Sequence, residues 1–384
     1  MPSVSSGSGP DGIPMARRPR ALLVTARFPP DVGGTETHVA EVAPRLAGLG
    51  LDVTVLTTDK VGGRPARETV DRVSIVRVPA FPRSRDYYFA PGLVRAIRAS
   101  GADIAHLQGF HTLVAPLAMA AAALAGIPYV VSFHSGGHAS ALRGRLRGVQ
   151  RLLLRPGLRH AARLIPVSRY ELALFQRGLG LSASRFTLVR NGSSMPQPRT
   201  RRSDAGALVV SVGRLERYKG HGRLVAAWPG VLRQIPGAKL RILGTGPDQE
   251  RLRALIEVAG LSDAVELGSI PVADRQGMAD AIGEANLVAL LSEYEAHPVS
   301  VTEALAVGTP VIVSRTTGLT ELVDDGQAAG VAGDASPAEI ADAVVHELLH
   351  PRAVDPAGQP SWDDCARGLR DIYLEVLGED RCAS

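Results

Sequence analysis

The chain has 384 residues, of which 45% are hydrophobic and 21% are charged. This is the composition of a soluble globular protein large enough for two domains, and no apolar run reaches the roughly 18 residues that a membrane-spanning helix needs. The net charge of +5 is unevenly distributed, because residues 1–195 carry 25 Lys and Arg against 11 Asp and Glu. We therefore expect the first half to meet an anionic partner.

The two ends of the chain bear on its location. Residues 1–14 are rich in Ser, Gly and Pro and lack the basic start and apolar core of a secretory signal, so they predict a disordered tail. Cys365 and Cys382 are too few for a disulfide framework and lack the spacing of metal ligands. The cytoplasm is the expected location.

The first half opens with a βαβ pattern. A strand at Arg20–Thr25 is followed by a glycine-bearing loop, a helix from Thr35 and a second strand at Leu51–Thr57. This order predicts a parallel sheet in a Rossmann-like domain over residues 15–195. Further strands are predicted at Val73–Val78, Ile104–Leu107, Tyr129–Phe133 and Leu164–Val167.

The pattern restarts after a polar, proline-bearing linker at residues 196–204. We predict a second Rossmann-like domain over residues 199–358. The class is therefore α/β, with two doubly wound parallel-sheet domains. The strands of the second domain are predicted at Leu208–Val212, Leu240–Leu243, Val265–Leu267, Leu287–Leu291 and Pro310–Ser314.

Two glutamates stand eight positions apart in the second domain. Glu295 precedes a loop, Glu303 opens a predicted helix, and the stretch Ala304–Ile312 follows Glu303 in the sequence. The start of a helix offers free backbone N–H groups to diphosphate oxygens, and carboxylates beside it accept hydrogen bonds from sugar and ribose hydroxyls. A capped helix with surface acids is the alternative interpretation.

Arg214 and Lys219 lie five residues apart on a loop that follows a predicted strand. Two fixed cations stabilise a departing diphosphate without a metal, Arg by a bidentate fork and Lys as a point charge. No Asp-x-Asp motif occurs in the chain, so we expect neither a metal nor another cofactor. A solvated basic loop is the alternative.

The first domain contributes two weaker signals. Gly33-Gly34-Thr35-Glu36 follows the first strand and opens the first helix, where a backbone approaches a phosphate or an acceptor closely. It is not a dinucleotide-binding fingerprint. His134 follows a strand at the sheet edge where α/β ligands bind, although a lone histidine there is more often structural.

These motifs, in this order, resemble the retaining glycosyltransferases of family 4, which have the GT-B fold and an E-x7-E signature. The resemblance implies two domains facing across a cleft, with the acceptor on the first and a nucleotide-sugar donor on the second. It implies that Glu295 faces the donor sugar, Glu303 binds the ribose, and the backbone amides of Val299 and Ser300 hold the diphosphate.

The same resemblance implies further residues. His134 would lie near the anomeric carbon, the turn at Gly244 and Gly246 would approach the donor, and Ile270 would meet the nucleobase. A helix over residues 361–378 would pack back on the first domain, and Asn191 would belong to a structural turn that ends that domain. The predicted acceptor contacts are Thr35, Glu36, His111, His138 and His297.

One stretch of the chain departs from the family's sequence pattern, and the role of another stretch has two interpretations. The family often has Gly-Phe-Gly after the first glutamate, where this chain has Ala296-His297-Pro298. His297 fits either a contact with donor or acceptor or a half-exposed loop position. Arginines at four-residue spacing from Arg143 to Arg163 fit either an ordinary surface helix or a peripheral contact with an anionic membrane. Nucleic acid is not expected, because only 4% of residues are aromatic.

The expected reaction is transfer of a hexosyl unit from a UDP- or GDP-sugar to a hydroxyl of a glycan, a lipid-linked acceptor or a small molecule. The anomeric configuration should be retained. Two alternatives stay open: a nucleotide-sugar 2-epimerase of the same fold, and a non-catalytic protein that binds sugar nucleotides.

Overall fold

The computed structural model describes residues 17–31, 33–82, 89–109, 112–135, 153–200 and 207–383. The predicted tail at residues 1–14 lies outside the described residues. So do two of the predicted acceptor contacts, His111 and His138, and the part of the arginine stretch that precedes residue 153.

The first domain is built on a seven-stranded sheet. The strand order is β3-β4-β2-β1-β5-β6-β7, and every pair is parallel except β3–β4. The sequence did not reveal β3, because its residues RETV are mostly exposed and show no apolar alternation. The strands are β1 (Arg20–Thr25), β2 (Asp52–Asp59), β3 (Arg67–Val70), β4 (Val73–Pro79), β5 (Ile104–Gln108), β6 (Tyr129–Ser132) and β7 (Arg163–Ile165).

Helices cover both faces of this sheet, because successive side chains of a strand point to opposite faces. Leu22 and Val24 of β1 pack with α2, α3, α4 and α5, whereas Ala21 and Leu23 pack with α1 and α12. No described helix is both long enough and apolar enough to cross a membrane. The helices are α1 (Gly34–Gly48), α2 (Gly92–Ala99), α3 (Val114–Leu124), α4 (residues 153–160), α5 (Arg169–Leu179) and α12 (Trp362–Ala383).

The second domain is a six-stranded sheet with the order β10-β9-β8-β11-β12-β13, parallel throughout. The predicted fold class is therefore confirmed. The sequence did not reveal β13, a four-residue strand interrupted by Gly330. The elements are β8 (Leu208–Val212), α6 (His221–Gln234), β9 (Lys239–Leu243), α7 (Gln249–Val258), β10 (Val265–Gly268), α8 (Arg275–Gly283), β11 (Leu287–Leu290), α9 (Val299–Val307), β12 (Val311–Arg315), α10 (Leu319–Asp324), β13 (Ala329–Ala332) and α11 (Pro337–Leu349).

The chain passes between the domains twice at one place. Ser193 and Ser361 form a parallel bridge, and the Ser193 N–H donates to the Pro360 carbonyl at 2.9 Å. Gly192 packs so closely on the Ser361 backbone that a Cβ atom would overlap it. The last helix, α12, then returns to the first domain and packs along α1. Its buried side chains include Trp362, Leu369, Ile372, Tyr373 and Val376.

Candidate active site

A cleft of about 540 Å³ lies between the two domains. It opens at the carboxyl ends of both parallel sheets, where α/β proteins bind their ligands. The first domain lines it with Gly33, Gly34, Thr35, Glu36, Thr37, His134 and Asn191. The second domain lines it with residues that include Arg214, Tyr218, Lys219, Gly244, Ile270, Arg275, Tyr294, Glu295, His297, Val299, Ser300 and Glu303.

Helices from both domains begin at this cleft. Neither α1, after Gly33, nor α9, after Pro298, has a side-chain cap on its first N–H groups. The start of a helix carries partial positive charge and unpaired donors, so Gly34 on one side and Val299 and Ser300 on the other surround a space suited to an anion. A Cβ at Gly33 would overlap the Glu36 carboxylate, whereas Gly34 faces open space.

Lys219 and Glu295 form an ion pair within the cleft. Lys219 Nζ lies 2.5 Å from Glu295 Oε1, and both side chains are largely buried. Ser292 Oγ donates to the same oxygen at 2.9 Å. The Thr317 hydroxyl lies 2.8 Å from both the backbone N–H and the carbonyl of Glu295. The carboxylate is therefore held from its side chain and from its backbone.

Arg214 lies on the same loop as Lys219 and is more exposed. Its guanidinium pairs with Glu216 at 2.7 Å, and 39% of the Arg214 side chain is accessible. Lys219 Nζ also lies 5.3 Å from the centroid of the Tyr218 ring, which stacks on Tyr294 with centroids 4.4 Å apart and planes 9° apart. Burial, and then the charge of Glu295, raise the pKa of Tyr218, so its hydroxyl stays protonated.

Glu303 is buried and paired with a residue that the sequence did not single out. Arg275 Nη2, at the start of α8, lies 2.5 Å from Glu303 Oε1. Burial raises the pKa of Glu303, and the charge of Arg275 opposes that shift. Near this pair the lining turns apolar. The apolar lining side chains include Val212, Leu243, Ile270, Pro271, Val272 and Met278.

His134 lies at the cleft in an uncommon backbone conformation. Its φ of 50° is in the left-handed region, which costs a residue with a side chain about 1–2 kcal/mol. Its Nε2 lies 2.7 Å from Gln108 Oε1, so this nitrogen carries the proton in the hydrogen bond. Its ring also meets His38 edge-on, with centroids 4.7 Å apart. Gln108 therefore fixes the direction of the ring.

Asn191 links the two domains beneath the cleft. Its Oδ1 lies 3.0 Å from His38 Nδ1, and its Nδ2 donates to the His297 carbonyl at 3.0 Å. His297 is 6% exposed, which corrects the interpretation of a half-exposed loop histidine. Burial lowers the pKa values of both His38 and His297 to about 4, so both rings are neutral.

The two glycines of the turn after β9 lie in different surroundings. Gly244 lines the cleft, and a Cβ there would overlap the Gly213 carbonyl. Gly246 does not line it; it packs against the Leu215 backbone with φ of 159°. Only the first of these two predicted donor contacts therefore faces the ligand space.

Part of the arginine stretch packs within the protein. Arg155 Nε donates to the Leu179 carbonyl at 3.0 Å, and Arg163 pairs with Glu375 of α12 at 2.8 Å. Of the described arginines in this stretch, Arg159 is exposed, whereas Arg155 and Arg163 are half-buried.

The fold and the cleft together define a class. Two parallel-sheet α/β domains with a polar site between their carboxyl edges form the GT-B architecture of nucleotide-sugar glycosyltransferases. The fold is similar to that of sucrose-phosphate synthase from Thermosynechococcus elongatus, with a TM-score of 0.72 and 22% sequence identity over 94% of this chain and 95% of that chain.

Family models match both halves of the chain. The Glycosyl transferase 4-like domain matches residues 33–192, and Glycosyl transferases group 1 matches residues 197–352. The chain therefore belongs to the group 1 glycosyltransferases of the family 4 type, enzymes that transfer sugars from nucleotide sugars. The resemblance inferred from the motifs is confirmed.

Two mannosyltransferases are among the similar proteins. The chain is 28% identical to GDP-mannose:cellobiosyl-diphosphopolyprenol alpha-mannosyltransferase of Komagataeibacter xylinus, over 94% of both chains. It is 29% identical to GDP-mannose-dependent alpha-(1-6)-phosphatidylinositol monomannoside mannosyltransferase of Mycobacterium tuberculosis, over 94% of this chain and 99% of the relative.

Proposed function

We propose that this glycosyltransferase moves a hexosyl unit from a UDP- or GDP-sugar to an acceptor hydroxyl with retention of the anomeric configuration. One observation carries the proposal: the Lys219–Glu295 pair, 2.5 Å apart, faces the same cleft as His134 of the other domain. A cation for the leaving group and a carboxylate for the sugar hydroxyls thus stand beside each other.

We assign each part of the nucleotide-sugar donor to residues of the second domain. Glu303 accepts from the ribose hydroxyls, and the charge of Arg275 opposes the rise in its pKa that burial causes. The apolar lining around Ile270 takes the base. The N–H groups of Val299 and Ser300 take the diphosphate, because α9 lacks a side-chain cap. Glu295 accepts from the hydroxyls of the donor sugar.

The reaction is a substitution on one face of the sugar. The bond between the anomeric carbon and the diphosphate oxygen breaks, and the acceptor oxygen forms a bond to that carbon on the same face. The acceptor proton passes to the departing diphosphate. Arg214 and Lys219 offset the charge on that diphosphate, a role that a divalent ion has in other enzymes, so we propose that no metal is required. His134 lies beside the reacting carbon.

The acceptor is assigned to the first domain, at Thr35 and Glu36. Residues 1–195 carry 25 basic and 11 acidic residues, and this net positive charge favours an anionic acceptor. The two mannosyltransferase relatives are named for acceptors that carry phosphate and a lipid. A phosphate-bearing, lipid-linked saccharide is therefore the proposed acceptor class. A cytoplasmic location and a peripheral membrane contact through Arg143–Arg163 are part of this proposal.

The test is a donor screen. GDP-mannose, GDP-glucose, UDP-glucose, UDP-N-acetylglucosamine, ADP-glucose and dTDP-glucose would be compared by thermal shift and by nucleoside diphosphate release with glycolipid acceptors. The anomer of the product would be assigned by NMR. We expect one base to be preferred and the donor configuration to be retained.

Other outcomes would contradict the proposal. An inverted product would exclude retention. A new sugar isomer formed from donor alone would support the 2-epimerase, and nucleotide binding without release for any acceptor would support a non-catalytic binding protein.

A further inference from the structure

A buried carboxyl group outside the cleft holds the backbone beside His134. Glu171 of α5 has no solvent exposure, and its Oε1 accepts the backbone N–H of Ser135, the residue that follows His134. Its Oε2 accepts the Val167 N–H at 2.8 Å. Both oxygens are therefore used by backbone donors from the loops that follow β6 and β7.

The same helix also holds the residue before His134. Phe175 of α5 stacks on Phe133, with ring centroids 3.6 Å apart and planes 8° apart. Glu171 and Phe175 are four residues apart and so project from one face of α5. His134, with its left-handed backbone, is thus fixed on both sides by one helix.

We propose that Glu171 is a positioning residue for His134, acting through the Ser135 N–H to hold the His134 ring at the cleft. This inference rests on the proposed function, which assigns His134 a place beside the reacting carbon. A carboxylate suits the task because it accepts at two oxygens, whereas the amide of Gln has one acceptor and would turn its NH₂ group toward a second N–H donor.

The N-terminus of α5 also meets the second domain. Glu321 Oε2 of α10 accepts the Arg169 N–H at 3.2 Å, and Asp325 pairs with the Arg169 guanidinium at 2.8 Å. The residue two before α10 is Thr317, whose hydroxyl holds the Glu295 backbone. The helix that fixes His134 is therefore docked on the element that adjoins Glu295.

The test compares Glu171→Gln with Glu347→Gln. Glu347 is a buried carboxylate of α11 that pairs with Arg352 at 2.9 Å and does not line the cleft, so it controls for the loss of a buried charge. Turnover, nucleoside diphosphate affinity by calorimetry and hydrogen exchange of the Ser135 amide would be measured at pH 8.5. This pH lies above the pKa of Glu171, which burial raises to about 8.

We expect Glu171→Gln to lower kcat about tenfold to a hundredfold, because small displacements of a reacting group have effects of this size. Its nucleoside diphosphate affinity should stay within about twofold of wild type, and its Ser135 amide should exchange faster. Glu347→Gln should change neither kcat nor Ser135 exchange. A wild-type kcat in Glu171→Gln, or unchanged Ser135 exchange, would overturn the proposal.

A second variant tests the proposal if Glu171→Gln does not fold. Phe175→Leu removes the stack on Phe133 and should lower kcat selectively in the same way; an unchanged kcat would overturn the proposal. If the wild type transfers no sugar from any donor, the proposed function fails, and the exchange of Ser135 then decides the positioning role alone.

Discussion

Asn191 donates a hydrogen bond from Nδ2 to the backbone carbonyl of His297 at 3.0 Å, across 106 residues of sequence. The acceptor carbonyl immediately precedes Pro298, the residue before α9, whose first N–H groups face the proposed diphosphate. The Oδ1 atom of the same amide contacts His38 of α1, the other helix that begins at the cleft. One side chain thus connects both helix starts.

Replacing Asn191 should therefore affect both folding and the donor site. Asn191→Ala leaves the buried His297 carbonyl without its donor, and we expect a loss of about 1–3 kcal/mol in the free energy of unfolding, measured in urea. Donor affinity should fall as well. Asn286→Ala is the control, because the Asn286 amide accepts the Leu208 N–H at 2.9 Å away from the cleft. Equal donor affinity in both variants would argue against the coupling.

Lys219→Ala should abolish most of the turnover without unfolding the protein. Removing one preorganised charge from a site that stabilises developing negative charge costs about a hundredfold to a thousandfold in kcat. Nucleoside diphosphate release would be followed, with circular dichroism to check the fold. The control is Arg217→Ala, on the same loop, whose side chain is 80% exposed. Wild-type turnover in Lys219→Ala would rule out the leaving-group role.

Arg275→Ala should weaken nucleotide binding through Glu303. Burial already raises the pKa of Glu303, and removing Arg275 takes away the charge that opposes this shift. The carboxyl group then holds its proton to higher pH and accepts more weakly from ribose, so affinity should fall further at pH 6.0 than at pH 8.5. Calorimetry with GDP and UDP at pH 6.0 and pH 8.5 measures the nucleotide affinity.

The matched control for that variant is Arg352→Ala. Arg352 pairs with the buried Glu347, and its side chain is 28% exposed against 33% for Arg275. Both variants break one pair with a buried carboxylate, at a cost of about 3 kcal/mol in stability. Only Arg275→Ala should change nucleotide affinity; a matching loss in the control would show that the effect is global.

Buried histidines predict a loss of stability in acid. The pKa values of His38, His221 and His297 are lowered to about 4, chiefly by burial, whereas an unfolded histidine titrates near 6.5. The unfolded chain therefore binds more protons as pH falls through 6.5 toward 4. Each of these histidines should therefore lower the free energy of unfolding by about 2 kcal/mol at pH 5. At pH 7.5 this decrease should be absent.

Urea unfolding at pH 7.5 and pH 5 checks the acid effect. His297→Asn should show a smaller decrease than wild type, and His350→Asn, at an exposed position, should show the same decrease as wild type. A free energy of unfolding that stays flat over this interval would contradict the neutral burial of these rings.

The sequence predicted most of the architecture because parallel strands are buried apolar runs. β1 and β8 occur at the predicted residues, and the other predicted strands differ from the structure by one or two residues at their ends. β3 and β13 were missed for a physical reason. An exposed polar edge strand carries no apolar signal, and a four-residue strand with Gly330 is too short to show one.

The residues that support the site could not be predicted in the same way. Arg275 meets Glu303 and Glu171 meets Ser135 only after folding, across 28 and 36 residues. Asn191 was interpreted as part of a turn, and nothing local to it indicates His297 as a partner. The first two contacts depend on how the elements of one domain pack and the third on how the two domains meet, and a helical or strand period encodes neither.

The chain passes between the two domains at Ser193 and at Ser361, so these two positions determine where this protein can be recombined with its relatives. A chimera that exchanges the donor half alone has to be joined at both positions, so that α12 travels with the sheet on which Trp362 and Tyr373 are buried. A single junction near residue 195 would pack α12 of one parent against α1 of the other. We expect such a chimera to misfold at this helix contact, so its specificity could not be measured.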